Sequence, residues 1–284
     1  MSSTNAPFKV EIPPFPSGKR IAVTISFDDG CVQDRRVVKA FNEWGLKGTF
    51  NLNSGLLLRT GKPATGSSGR IDACEVADLY KGHEVAVHTV SHLNLTKLDA
   101  GQIAREVVED RKALEDLVGY PVRGMAYPGG AYDEKVINIL RQTGIVYSRT
   151  TEDSPLCFPA REPLAWKPTL GTYKKPCLVS ENFEKLYSDK NYSGVFHIWS
   201  HAYEFDRDWA DLERIFKPLS GKPDVWYCTN IELFDYEAAR NRVVIAANLK
   251  SAYNPSAVKV SIKAGNKIID VPAGKTVRLD IIEP

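Results

Sequence analysis

Several features are scarce in this chain. Its five cysteines, Cys31, Cys74, Cys157, Cys177 and Cys228, never form a CxxC pair, which argues against a zinc–cysteine site. Their odd number and wide spacing argue equally against a disulfide framework. No stretch approaches the roughly 20 apolar residues of a membrane span. The opening MSSTNAPFKVEIPPFP has no apolar leader core, so the expectation is a cytoplasmic protein without a membrane partner. No Lys/Arg tract is dense and the formal net charge is only +2, which excludes strong steering of polyanions and any reading as a nucleic-acid binder. Histidine is rare too, with five residues in 284, all in two short stretches: His83, His88 and His92, then His197 and His201.

What is present describes an ordinary globular chain, 43% hydrophobic and 25% charged. The length suits one large domain, or one of roughly 230–250 residues with a small appendage. After a Pro-rich lead-in over 1–19, residues 20–27 read as a buried strand ending at Asp28-Asp29-Gly30. Strands are also expected at 48–52, 84–87, 122–127, 145–148, 165–170, 194–199 and 224–228. Helices are expected at 32–44, 71–80, 99–118, 133–142, 180–190 and 208–219. This alternation fits a doubly wound sheet or a (β/α) barrel. Polar residues recur just past the C-terminal ends of several strands, which favours a barrel over 20–242. From 243 to 284 helix signals vanish, and alternating runs at 258–262 and 276–281 predict a small antiparallel β appendage. With only about 40 residues it has little core of its own and is expected to buttress the barrel, with accessory recognition as the alternative.

Three patches carry candidate chemistry. Adjacent carboxylates such as Asp28-Asp29 repel unless a cation or shared proton stabilises them; they either cap the following helix or divide into a metal ligand and a proton acceptor. His88 and His92 have the four-residue spacing that brings two imidazoles to one side of a helical turn, the alternative being surface or core histidines. His83 lies at the opposite end of its strand and reads as structural or exposed. In 195–201, strand geometry puts Val195, His197 and Trp199 on one face, with His201 where the strand opens into a loop. His197 then reads as a core histidine, while Glu204 or Asp206 is placed to hold the ring of His201. Asp29, His88 and His92 together make a carboxylate–imidazole triad with open coordination positions, the form of a catalytic metal site. Asp28 as base and His201 as acid complete a kit for metal-assisted hydrolysis of a carbonyl.

At this point the sequence resembles the polysaccharide deacetylases with a NodB-homology domain, carbohydrate esterase family 4. Ser26-Phe27-Asp28-Asp29-Gly30 is similar to the family's T-F-D-D-G, and His88-Thr89-Val90-Ser91-His92 fits its H-[ST]-x-x-H. Trp199-Ser200-His201 resembles its late L-x-H. The resemblance spans residues 20 to 235 and implies a distorted (β/α)7 TIM-like barrel with a divalent metal, commonly zinc and sometimes cobalt, nickel or manganese. It further implies Asp28 as general base, Asp29, His88 and His92 as ligands, His201 as general acid, and an N-acetylated amino-sugar polymer or oligomer as substrate.

The family's third motif, R-x-P-Y-G, corresponds to Met125-Ala126-Tyr127-Pro128-Gly129-Gly130. Ala126 stands at the arginine position, so Arg123, Arg149 and Lys167 are candidates to replace that side chain. Gly129 stands at the tyrosine position, where its backbone N–H still serves as an oxyanion donor. The Asp-Trp motif is missing after 145–148, which leaves Trp166 to wall the pocket, with Tyr127 and Trp199 beside it, and Glu204 to orient the acid. These departures keep two other readings open. One is a metal-dependent amidohydrolase of the same fold acting on a small non-sugar or cyclic amide. The other is a non-catalytic carbohydrate-binding barrel. No oligomeric state follows from the sequence.

Overall fold

The computed structural model describes residues 9–172 and 177–279. The chain begins with β1 (Val10–Glu11) and then enters β2 (Ile21–Asp28), which is buried along its whole length. Helix α1 (Asp34–Trp44) follows and stops at Gly45, whose φ of 68° closes the helix in the left-handed conformation that glycine adopts freely. Strands β3 (Thr49–Leu52) and β4 (Glu84–Val87) flank a loop and the short helix α2 (Val76–Leu79). The long α3 (Ala100–Val118) starts with a capping box, Asp99 reciprocated by Gln102, and ends at Gly119. Then come β5 (Gly124–Ala126), α4 (Glu134–Leu140), β6 (Tyr147–Arg149) and β7 (Leu170–Gly171). The second half of the barrel is α5 (Cys177–Ser188), β8 (Gly194–His201), α6 (Ala210–Phe216), β9 (Val225–Tyr227) and α7 (Asn230–Arg240).

The strands pair in the order β6-β5-β4-β3-β2-β8-β7, with β9 against the first half of β2, and each of these pairings is parallel. The sheet curls into a distorted (β/α)7 barrel. Along β2 the period of two separates two environments. Ile21, Val23, Ile25 and Phe27 join the apolar layer beneath the helices, where Phe27 meets Phe41, Phe50, Phe205 and Phe216. The alternate residues form polar contacts with other elements: Thr24 donates to Asn230 at 2.6 Å, Ser26 meets His197 at 3.4 Å, and Asp28 reaches Arg149 and Asn51. The barrel interior is thus a column of buried polar groups that open at the C-terminal strand ends.

Two expectations need correction. The strand expected at 165–170 shrinks to Leu170–Gly171, because Pro163–Ala165 forms a 3-10 turn instead. Helix α7 was not anticipated, although Thr229 and Glu232 form a capping box at its start. Beyond it come β10 (Val244–Ile245), β11 (Ser251–Tyr253), β12 (Val260–Ala264), β13 (Lys267–Val271) and β14 (Thr276–Arg278), which with β1 make two three-stranded antiparallel sheets, β10-β11-β14 and β1-β12-β13. The last part of the run expected at 276–281 lies outside the described residues. β1, from the segment ahead of the barrel, thus supplies one strand of this unit by pairing with β12. The unit has a small core of Ala252, Ile262, Val271 and Leu279, and it abuts α7 through Val260, Tyr236 and Ala239.

Candidate metal centre and active site

Asp28 is the last residue of β2 and Asp29 the first beyond it. Asp29 has a φ of 87°, a left-handed backbone that a non-glycine residue adopts only under local constraint. The turn sends the two neighbouring carboxylates in different directions. Asp28 accepts a hydrogen bond from Asn51 Nδ2 at 2.8 Å and one from Arg149 Nη2 at 2.6 Å on Oδ1, with a second contact of Nη2 on Oδ2. Arg149 is fully buried at the end of β6 and lies over the Trp199 ring at 4.7 Å. Burial pushes the Asp28 carboxyl upward, but Arg149, His88 and His201 outweigh it and hold the group well below the usual carboxylate range.

Asp29 faces the histidines. Its Oδ1 lies 3.5 Å from His92 Nε2 and 3.9 Å from His88 Nε2, and its Oδ2 lies 3.9 Å from His201 Nε2. The ligand atoms of Asp29, His88 and His92 all fall within 4.8 Å of one another, the one such cluster of His, Cys, Asp and Glu among the described residues. Tetrahedral ligands at about 2.0–2.1 Å from a zinc ion sit about 3.3 Å apart, so a small inward movement closes the set on a cation. Two further observations fit a metal. Asp29 Oδ1 is buried and accepts no hydrogen bond. His88 Nδ1 meets the Ala126 carbonyl at 2.8 Å, an interaction that requires the proton on Nδ1 and leaves the Nε2 lone pair toward Asp29. Burial lowers the His88 pKa despite the nearby Asp28 and Asp29, which keeps the ring neutral, as a ligand must be.

The helical turn expected for His88–His92 does not form. The segment is an irregular loop with left-handed φ at Thr89 (67°) and His92 (56°), and it brings the ring centroids to 4.9 Å. His201 belongs to the end of β8 rather than to a loop. Its Nδ1 meets Glu204 Oε1 at 2.8 Å, while Glu204 Oε2 accepts from Thr172 Oγ1 at 2.9 Å. Burial lowers the His201 pKa, but Glu204, Asp28 and Asp29 together raise it above the ordinary histidine value. Asp206, the other carboxylate considered for that ring, accepts from Gln33 instead.

The remaining candidates sit elsewhere. Arg123 forms a double hydrogen bond with Asp235 on α7, and Lys167 pairs with Glu152, so Arg149 alone of the three reaches Asp28. Trp166 is buried beneath the site, stacked on His197 at 4.0 Å and donating to the Cys157 carbonyl; it does not wall an open pocket. Tyr127 is buried with its hydroxyl on the Leu164 carbonyl. Trp199 is buried under Arg149. Gly129 occupies a turn, φ 62°, three residues after Ala126, whose carbonyl meets His88 Nδ1. His83 is buried, not exposed, and its Nδ1 accepts the Gly48 N–H at 3.0 Å. His197 is a core residue as expected. Sequence reading did not single out Asn51, Arg70 or Tyr203. Asn51 was detectable as a polar residue in a strand, but Arg70, 3.3 Å from Asp29 Oδ1, comes from a distant loop. Tyr203, stacked on His201 at 4.9 Å, had no local signal.

Residues 16–148 match the polysaccharide deacetylase family. The peptidoglycan-N-acetylglucosamine deacetylase PgdA of Listeria monocytogenes is 29% identical over 145 residues, which cover 50% of this chain and 28% of that protein. The chain therefore spans little more than a quarter of that curated relative. Among solved structures, the Xyl-CE4 domain of a multidomain xylanase from the Trinervitermes trinervoides hindgut metagenome aligns with a TM-score of 0.53 at 17% identity, over 77% of this chain and 91% of that one. A Clostridium thermocellum family 4 acetyl xylan esterase, solved with a cobalt ion, aligns with a TM-score of 0.51 at 15% identity, over 76% and 92%. These likenesses are to the fold. The ordered motifs and the match over 16–148 thus make this stretch of the chain similar to the polysaccharide deacetylase family, and the solved structures extend the likeness of fold over the barrel.

Proposed function

We propose that the protein is a metal-dependent hydrolase that removes N-acetyl groups from an amino-sugar polysaccharide or oligosaccharide. The observation that carries this reading is the convergence, from four strand ends, of an ionised carboxylate, a three-residue metal set and a carboxylate-held histidine. A divalent cation held by Asp29, His88 and His92, zinc being the first choice for two imidazoles and a carboxylate, supplies Lewis acidity toward a water and an acyl oxygen.

The protein groups do the rest. Asp28, kept ionised by Arg149, accepts the proton of the attacking water. Asn51 and Arg149 fix the carboxylate so that no reorganisation is needed at that moment. The Gly129 N–H offers a donor to the developing oxyanion. His201, kept protonated by Glu204, donates to the departing nitrogen, so the amide C–N bond breaks and acetate and an amine leave. With Arg149 on Asp28, the absence of an arginine at Ala126 no longer favours a non-sugar substrate.

The test is acetate release from N-acetylglucosamine oligomers by zinc- or cobalt-loaded protein, with cyclic amides assayed beside them. Acetate from the oligomers is the expected result. Turnover of the cyclic amides alone would replace this reading with the small-amide one, and sugar binding without hydrolysis would replace it with a binding barrel.

A further inference from the structure

The buried stripe of α3 is Ile103, Val107, Asp110 and Leu114. The spacing is that of an apolar helix face, yet one position is a carboxylate that is fully buried. A carboxylate there is costly unless it is hydrogen-bonded. Asp110 pairs with two backbone groups, neither from its own helix: Oδ1 accepts the Ser54 N–H at 2.7 Å and Oδ2 accepts the His88 N–H at 3.0 Å. One turn earlier Glu106 extends the same clamp. Its carbonyl accepts the Val90 N–H at 3.1 Å, and its Oε2 accepts the Ser91 N–H at 2.9 Å. From the other side, Asn53 donates to the His88 and Thr89 carbonyls, and Gly55 N–H to the Val90 carbonyl at 3.1 Å.

These bonds converge on the segment between His88 and His92, whose two left-handed residues, Thr89 and His92, no neighbouring glycine relieves. A free loop of that sequence would relax to ordinary backbone angles and swing the rings apart. We propose that Asp110 is a positioning residue for the metal centre: its carboxylate ties the loop after β3 to the loop after β4 and presets the His88 imidazole before any cation arrives. The inference rests on the metal-centre reading above.

The test compares Asp110→Asn with Glu84→Gln by chelator competition for Zn²⁺ and by the visible spectrum of the Co²⁺ form. Glu84 is the control because it too is a buried carboxylate that accepts a backbone N–H, from Ile231 at 2.8 Å, and it lies at the far end of the strand leading to His88. An amide at position 110 accepts only one of the two N–H groups. Asp110→Asn is therefore expected to weaken Zn²⁺ binding about 10–100-fold and to alter the Co²⁺ spectrum. Glu84→Gln should lower thermal stability and leave both metal readouts as in the parent. If Asp110→Asn does not fold, Glu106→Ala carries the test, because it removes the acceptor of the Ser91 N–H on the same segment, with a smaller loss of Zn²⁺ affinity expected. Parent-like Zn²⁺ affinity in the tested variant, or an equal loss in Glu84→Gln, overturns the proposal. A parent protein that binds no Zn²⁺ overturns the metal-centre reading itself.

Discussion

At the two ends of β4 stand two histidines, five residues apart in sequence and opposite in use. His83, at the N-terminal end, has both ring nitrogens committed within the fold, Nδ1 to the Gly48 N–H at 3.0 Å and Nε2 to Asn42 at 3.2 Å. His88, at the C-terminal end, commits only Nδ1, to the Ala126 carbonyl, and turns Nε2 toward Asp29. Burial lowers both pKa values. The carboxylates repeat the contrast. Glu84 meets only neutral donors, Tyr147, Thr49 and the Ile231 N–H, and burial pushes it up to about 7. Asp28 meets a guanidinium and stays well below the usual range. Residue type and depth are alike at the two ends, so what separates structure from chemistry is whether a reactive atom is left uncommitted beside charge.

The sharpest way to break this contrast is His88→Ala. It should abolish stoichiometric metal binding and reduce deacetylation to background, as elemental analysis and acetate release would show; full metal occupancy in this variant would dissolve the distinction. Asp28→Asn comes next. Turnover should fall about 10²–10⁴-fold with metal content kept, since the lost function is proton transfer; a parallel loss of metal would move Asp28 among the ligands.

Arg149→Met tests the partner rather than the acid. Without the guanidinium the Asp28 pKa rises, by about 1–3 units for such a neighbour, so the acidic limb of the kcat/KM profile should move to higher pH. An unmoved limb would mean that Arg149 only fills space. The smallest effect belongs to the structural end. Folded His83 refuses a proton until about pH 4, whereas the unfolded ring accepts one near 6.5. The neutral ring's contribution is therefore complete above about 6.5 and is lost as the pH falls toward 4. With solvent screening allowed for, His83→Gln should remove about 1–2 kcal/mol of that acid-side decline and leave metal affinity alone. Calorimetric melts between pH 7 and 4.5 measure it, and identical pH slopes for both proteins would contradict the assignment.

Much of the barrel was legible because its signals are local. The alternation of Ile21, Val23, Ile25 and Phe27 with Thr24, Ser26 and Asp28 follows from a two-residue period, and Asp99 and Gly119 mark α3 by caps that need only their own turn. Helix α7 carried an equally local signal in Thr229 and Glu232. The helical turn expected for His88–His92 failed for the opposite reason. Its backbone is dictated by Asp110, Glu106 and Asn53, which belong to other elements.

The sequence by itself thus settled which residue types stand at the strand ends and, through the order of its short motifs, a resemblance to one family. Only the tertiary structure decided which of them act together. Arg149 reaches Asp28 across 121 residues of chain because β6 and β2 lie in one curled sheet, and no periodicity records that distance. The tautomer of His88 is set by a carbonyl 38 residues away. Local patterns fix the direction of a side chain from its own strand or helix, whereas proton position, ionisation and ligand geometry depend on atoms that only folding brings within about 3 Å.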